Sequence, residues 1–317
     1  MKKNLFLLGL LVCSMATMAQ TEKAEKPESW YFKLGGSYFN QTASTEFPTV
    51  GGNAALDRTY VGGKLVSEKS ITGSFGQGFR TGITAGYRFS TRIGVELGVN
   101  YYSSNDKKMA QTTTDTPITP TGEYSFKSVG QITAFDLAPA IVMFLGESNG
   151  FEPYTKVGVL VPVHGDLEIT SDAYAPVAFN PTTGVPVAFG NVHSVDKVKP
   201  NPTIGFTAAV GTTYRLTKHL SAFAELEYRN FTVHGKTKET TEFTVNGQDA
   251  LATRSTSQIH TIYRDQLDIN SNNALFNPNT ATPDKRDTTR PNDKMDELSS
   301  YVGISGLGLT LGIKYSL

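Results

Sequence analysis

The stretch that most constrains the fold is residues 309–317, Leu-Thr-Leu-Gly-Ile-Lys-Tyr-Ser-Leu. Its odd positions are large and apolar, its even positions small or polar. A β-strand sends successive side chains to opposite faces, so the period of two reads as a strand. One face then carries Leu309, Leu311, Ile313, Tyr315 and Leu317; the other carries Thr310, Gly312, Lys314 and Ser316. Such an apolar face needs cover, and only a second sheet or lipid can supply it.

The same alternation recurs along the chain. In residues 30–40, Trp30, Phe32, Leu34, Gly36 and Tyr38 share one face, with Tyr31, Lys33, Gly35 and Ser37 behind. Residues 79–89 set Phe79, Ile83, Tyr87 and Phe89 against Arg80, Gly82, Gly86 and Arg88. Ser90-Thr91-Arg92 then turns the chain into 93–102, where Ile93, Val95, Leu97, Val99 and Tyr101 oppose Gly94, Glu96, Gly98 and Asn100. The fourth run, 132–144, is less regular: Phe135, Leu137, Ile141 and Met143 oppose Asp136, Ala138 and Ala140. It contains Pro139, a residue that favours edges and bulges because it cannot donate to a ladder. After the turn at 146–150, residues 151–164 oppose Val157, Val159, Val161 and Val163 to Tyr154, Lys156 and Gly158. Residues 204–216 and 220–229 follow, joined by Thr217-Lys218-His219; Arg215, Glu225, Glu227 and Arg229 fall on the polar face. Tyr301 is expected to open the eighth and last strand.

Between these runs the connections alternate strictly between long and short. The long ones, about 41–77, 103–127, 166–201 and 234–298, are rich in Gly, Ser, Thr, Asn and Pro and read as irregular. Two contain hairpin signals: the near-repeat Pro176-Val-Ala-Phe179 and Pro186-Val-Ala-Phe189 around 180–184, and Asn246-Gly247. In an up-and-down meander all long loops then lie at one end and all short turns at the other. The polar face holds many glycines, which suits a cramped interior better than the solvated surface of a soluble lipocalin-like barrel. Aromatics cluster near both ends of the apolar face: Trp30, Tyr87, Phe89, Tyr214 and Tyr315 at the turn end, Tyr38, Tyr101, Phe206, Tyr228 and Tyr301 at the loop end. That spacing fits the two girdles at membrane interfaces.

Composition narrows the alternatives. The 29 Lys and Arg balance 29 Asp and Glu, with no basic run, so nothing favours nucleic acid. The single cysteine, Cys13, cannot form an internal disulfide and lies in residues 1–19, which read as a secretory signal peptide cut after Ala19. A lipoprotein anchor at Cys13 is disfavoured by Val12, where a small residue is expected. Residues 20–28 read as a short periplasmic leader and 29–317 as the barrel domain. No later stretch approaches the roughly 20 apolar residues of a membrane helix.

Taken together the chain resembles the small outer-membrane β-barrels of the OmpA/OmpX-like superfamily. In those barrels the final strand commonly reads polar, any, Gly, any, any, aromatic, any, hydrophobic end, and 310–317 fits each slot. Gly312, Tyr315 and Leu317 are therefore the expected terminal assembly signal, with Leu317 departing from the usual Phe or Trp. The resemblance implies an all-β fold: an eight-stranded antiparallel up-and-down transmembrane β-barrel with four long extracellular loops, in the cell outer membrane, both termini periplasmic. The implied partners are outer-membrane lipid, lipopolysaccharide and the barrel-assembly machinery. A peptidoglycan-tethering role is not expected.

Function must come from sites. Eleven charged residues fall on the inward face: Lys33, Arg80, Arg88, Glu96, Asp136, Lys156, Arg215, Glu225, Glu227, Arg229 and Lys314. Buried charges persist only when paired, so they are expected to form a packed network, with Arg and Lys stems lying over glycines; a selective pore is the alternative. An outer-leaflet lipid-modifying enzyme is a further one, with His164, Asp166 and His234 near the loop end as its candidates. The leading expectation is a non-enzymatic protein without cofactor or metal, supporting the envelope and presenting its loops for surface recognition.

Overall fold

The computed structural model describes residues 30–114, 124–201, 203–273 and 290–317. The expected signal peptide and leader lie outside the described residues. Where eight strands were expected, the described residues form 19; eight of them follow the expected runs: β1 (Trp30–Gln41), β2 (Gly78–Arg88), β3 (Ile93–Ser104), β4 (Ser125–Phe144), β5 (Phe151–Phe179), β6 (Gly205–Arg215), β7 (Leu220–Asn230) and β8 (Gly306–Ser316). Each pairs antiparallel with its predecessor and successor, from Trp30↔Tyr87 between β1 and β2 to Leu226↔Leu309 between β7 and β8. β8 in turn pairs with β1, Phe32 opposite Tyr315 and Tyr38 opposite Leu309.

The expected faces follow the pleat. Lys33, Glu96, Asp136, Glu225, Glu227 and Arg229 are buried, whereas Leu34, Ile83, Leu97, Val157, Val210 and Leu309 are each about half exposed. Pro139 sits inside β4 opposite Leu97. On its other side the ladder to β5 lapses between Ala140↔Gly158 and Leu137↔Val161, and resumes in the same register. The missing N–H therefore interrupts pairing locally without displacing the strand. A register shift comes later, between Pro162 and His164.

That shift matters, because β4 and β5 are far longer than expected. β5 runs for 29 residues, which at about 3.3 Å per residue is on the order of 95 Å. Below the shift its buried positions are even (Glu152, Tyr154, Leu160); above it they are odd (Leu167, Ile169, Ser171). The interior changes character at the same height, from charged to apolar.

The long connections expected to be irregular are largely strands. Leu56–Val61 and Lys64–Ser70 form a hairpin, Lys107–Thr114 pairs with β4, and Pro186–Asn201 pairs with both β5 and Thr232–Val245. Both sequence hairpin signals form turns. Asn246 and Gly247 take φ of 52° and 78°, the left-handed pair that a two-residue primed turn requires. Tyr301–Gly303 is a separate short strand on Thr232–Val245, so the last long strand opens at Gly306 instead. These residues bury a second apolar cluster, including Phe75, Met109, Ile132, Leu167, Phe231 and Ile304, beyond the eight-strand region. The sequence hid this because Thr, Lys and Glu on the outer faces dilute the alternation, and polarity there reads as loop.

Candidate functional site: a filled interior beneath a loop-end chamber

The interior of the eight-strand region is occupied in three tiers. Nearest the turn end, Arg88 donates to Glu152 at 2.6 Å, with Lys314 3.9 Å from the other oxygen of the same carboxylate. Tyr31, Val142, Phe144 and Tyr154 pack there as an apolar floor, and the Arg88 guanidinium lies 4.0 Å from the Phe144 ring centroid. In the middle tier Lys33 reaches Glu96 at 2.6 Å and Glu225 at 3.1 Å. Lys156 reaches Glu225 at 2.6 Å and Glu96 at 3.6 Å, while Tyr31 donates to Glu96 and Tyr154 to Glu225. In the third tier Arg80 forms a bidentate pair with Glu227, which also accepts from Thr207. Arg229 donates to Asp136 at 3.2 Å, Asn100 donates to the same carboxylate, and the Tyr102 ring flanks the guanidinium at 4.8 Å. Each carboxylate thus accepts two or more contacts, the condition for holding a charge away from water. The space left in this network is about 40 Å³, room for little more than a water or two.

The structure brings ten of the eleven predicted residues into this interior. The exception is Arg215, which pairs with Glu147 at an exposed turn; at the strand end its long side chain reaches solvent instead. Glu152 was missed, although extending the alternation of Tyr154 and Lys156 by one step would have found it. The supporting Tyr31, Tyr154, Asn100 and Thr207 carried no charge signal. The expected cover over the glycines also differs. Over Gly86 and Gly312 aromatic rings lie in place of Arg and Lys stems: a Cβ on Gly86 would stand 2.2 Å from the Tyr31 ring, and one on Gly312 2.6 Å from Phe223. Gly86→Val is accordingly expected to displace Tyr31 from Glu96 and cost about 1–3 kcal/mol of overpacking, read as a lower urea midpoint of unfolding. An unchanged midpoint would refute the close-approach argument.

Above the third tier the interior opens into a chamber of about 1770 Å³. Its walls include Ile132, Leu167, Ile169, Val198, Phe231 and Val233, together with Lys238 and Tyr263. Burial pushes the Tyr263 hydroxyl well above its usual range, reinforced by the Glu297 and Asp196 carboxylates, so it stays neutral. Of the candidate enzyme residues, His164 is exposed opposite Phe135, and Asp166 and His234 are half-buried opposite Thr133 and Tyr301, on the outer face of the strands that bound the chamber. His219, in the turn between β6 and β7, contacts the Ser316 carbonyl at the opposite end. Among the described residues no group of three His, Cys, Asp or Glu side chains is placed to hold a metal.

The outer face of the eight strands is the remaining feature. Apolar side chains stand half exposed along every strand, with ring pairs Trp30–Tyr87 and Phe151–Tyr214 at the turn end and Tyr101–Phe135 at the other. A soluble monomer does not show such a continuous apolar belt, and charged-inside, apolar-outside is the arrangement hydrocarbon demands. Among the described residues no helix is long and apolar enough to cross a membrane. The fold defines an all-β, chiefly antiparallel membrane barrel protein. The profile of the outer membrane protein beta-barrel domain matches residues 5–248, and the chain belongs to that family, whose place is the outer membrane.

Solved structures with a similar course include the outer membrane protein OprG from Pseudomonas aeruginosa, 11% identical, with 93% of this chain and 98% of that one covered at a TM-score of 0.42. The outer membrane protein W of E. coli is 12% identical, with 93% and 100% covered and a TM-score of 0.34. A major outer membrane protein from Thermus thermophilus is 12% identical, with 91% and 99% covered and a TM-score of 0.32. No curated protein matches the sequence.

Proposed function

We propose that the eight long strands close into a transmembrane barrel that does not conduct, and that the protein works at the cell surface as a non-enzymatic recognition protein. Turns and termini face the periplasm; the chamber and its strands face outward. The observation that carries this reading is the contrast between the filled interior, about 40 Å³, and the chamber directly above it, about 1770 Å³. A small eight-stranded barrel is just wide enough to be filled by side chains, and here they are paired across it. Function is therefore left to the loop end, where sites on rigid scaffolds concentrate. Outer-membrane lipid and lipopolysaccharide surround the belt, and the assembly machinery inserts it. Catalysis is the weaker reading, because the candidate His234 contacts Asn201 and not a carboxylate that would orient it as a base. Purified protein in planar lipid bilayers is expected to give no large, stable conductance steps. Steady channels of porin size would overturn the filled interior and put the pore in its place.

A further inference from the structure

One flank of the chamber carries charge that nothing among the described residues answers. Ile132, Leu167, Val198, Lys238 and Thr261 lie in one row across five neighbouring strands, the last of them His260–Arg264, and all line the chamber. Residues two apart on a strand share a face. Asp196, two before Val198, and Tyr263, two after Thr261, therefore face inward with them, and both line the chamber. Tyr263 stands opposite Glu297 on the strand Met295–Leu298, a further lining residue. Neither Asp196 nor Glu297 has an ion pair among the described residues, whereas each of the five interior carboxylates below has a cation. Asp196 accepts from the Thr240 hydroxyl at 2.6 Å. Lys238, diagonal to Asp196 in the register, pairs with neither carboxylate.

The hydroxyls of this flank are unanswered as well. Thr261 is 4% exposed, and its hydroxyl makes no hydrogen bond among the described residues. Buried polar groups are rarely left so, and an exception points to something that completes them. The Tyr263 ring lies over Gly235, where a Cβ would meet it at 2.6 Å, so it leans across the strand Thr232–Val245 toward Asp196. Its hydroxyl accordingly feels both carboxylates, Glu297 the more strongly. The neighbouring wall is apolar, with Ile132, Leu167, Ile169 and Phe231.

We propose that the chamber binds an amphipathic amine, its ammonium held between Asp196 and Glu297 and its apolar body against Ile132, Leu167 and Ile169. This rests on the surface-recognition reading and names the class of ligand for it. An ammonium supplies donors to two carboxylates, whereas an anionic ligand would meet two like charges. A metal ion suits the flank less, since no third His, Cys, Asp or Glu completes a shell among the described residues. At about 1770 Å³ the chamber exceeds the roughly 300–1,000 Å³ of ordinary ligand pockets, so a body of several rings fits.

The test uses the full protein in nanodiscs of zwitterionic lipid, titrated calorimetrically with empty discs subtracted. Three probes share one rigid cage and differ only in the head group: 1-adamantylammonium, 1-adamantanol and 1-adamantanecarboxylate. The ammonium is expected to bind at least about tenfold more tightly than the alcohol, because hydrogen bonds between charged groups outweigh neutral ones by about that factor. The carboxylate should bind more weakly than either. Asp196→Asn and Glu297→Gln should each remove most of the preference, while Lys238→Met should enlarge it by taking a competing ammonium off the flank. Folding of every variant is read from its change of gel mobility on boiling. Equal affinity for ammonium and alcohol, a preference that survives both carboxylate variants, or no binding by folded protein would overturn the proposal. Failure of the underlying reading shows separately, as conductance in bilayers.

Discussion

Glu225→Ala is expected to destabilise the barrel by on the order of 3–5 kcal/mol, the cost of leaving buried charge uncompensated. Glu225 accepts from Lys33 at 3.1 Å, Lys156 at 2.6 Å and Tyr154 at 2.7 Å, and its side chain is 2% exposed. Without it Glu96 is the only carboxylate left to both ammoniums, at 2.6 Å from Lys33 and 3.6 Å from Lys156. Lys156 suffers more, since its remaining contact is the longer one. The measurement is the urea midpoint in detergent, read on gels as the loss of the band whose mobility changes on boiling, the behaviour expected of a barrel with no free strand edge from which unfolding can start. Adding Lys156→Met should recover part of the loss, because a pair replaced by apolar volume is nearly neutral while half a pair is not. A change below about 1 kcal/mol, or no recovery in the double variant, would mean that the middle tier is solvated and that the interior is not packed. The double replacement of Glu225 and Glu227 by Ala should also let ions leak through the otherwise silent barrel.

Why this much was legible follows from how the two halves of the molecule are solvated. In the eight-strand belt one face meets lipid and the other a crowded polar interior, so the contrast between neighbours is maximal. Leu97 beside Glu96 and Leu226 beside Glu225 leave no doubt about face. Beyond the belt the outer face meets water and the inner face encloses the chamber, and the contrast inverts. Val198 beside Lys197 and Ile169 beside Glu168 alternate equally well, but β5 changes phase at the shift between Pro162 and His164. A fixed period read through that point fades, and polar stretches such as 56–70 pass for loop although they pair as a hairpin. The site divides the same way. Charged interior residues announced themselves by breaking an apolar strand, whereas Tyr31 and Tyr154 look like belt aromatics unless their even or odd position is kept in view. Lys238 is placed on the chamber wall, opposite Val198, only because the strand Pro186–Asn201 packs beside its own, a pairing distant in sequence. Arg215 had the correct parity, but its place at a strand end decided its environment.

Deleting the last three residues is expected to cut assembly into the outer membrane on the order of a hundredfold. Those residues hold the turn end of β8 against both neighbours, β1 on one side and the turn before β7 on the other. Leu317 N–H donates to the Trp30 carbonyl at 3.1 Å, Ser316 N–H donates to the His219 carbonyl at 2.8 Å, and His219 Nδ1 stands 2.9 Å from the Ser316 carbonyl. Three hydrogen bonds at about 1 kcal/mol each come to about 3 kcal/mol, or roughly two powers of ten in the equilibrium that docks the terminal strand between its neighbours. Tyr315→Ala keeps the backbone contacts and should cost less. It removes a ring that is 48% exposed on the belt, 6.0 Å from the His219 ring, at the height where amphipathic aromatics anchor a barrel. The order of the two effects is the informative part. If seam closure limits assembly, the deletion is worse than the point variant. If instead the assembly machinery reads the aromatic side chain itself, Tyr315→Ala matches the deletion. Quantifying the heat-shifted band in outer-membrane fractions separates the two, and wild-type levels in both variants would remove the terminal strand as an assembly signal.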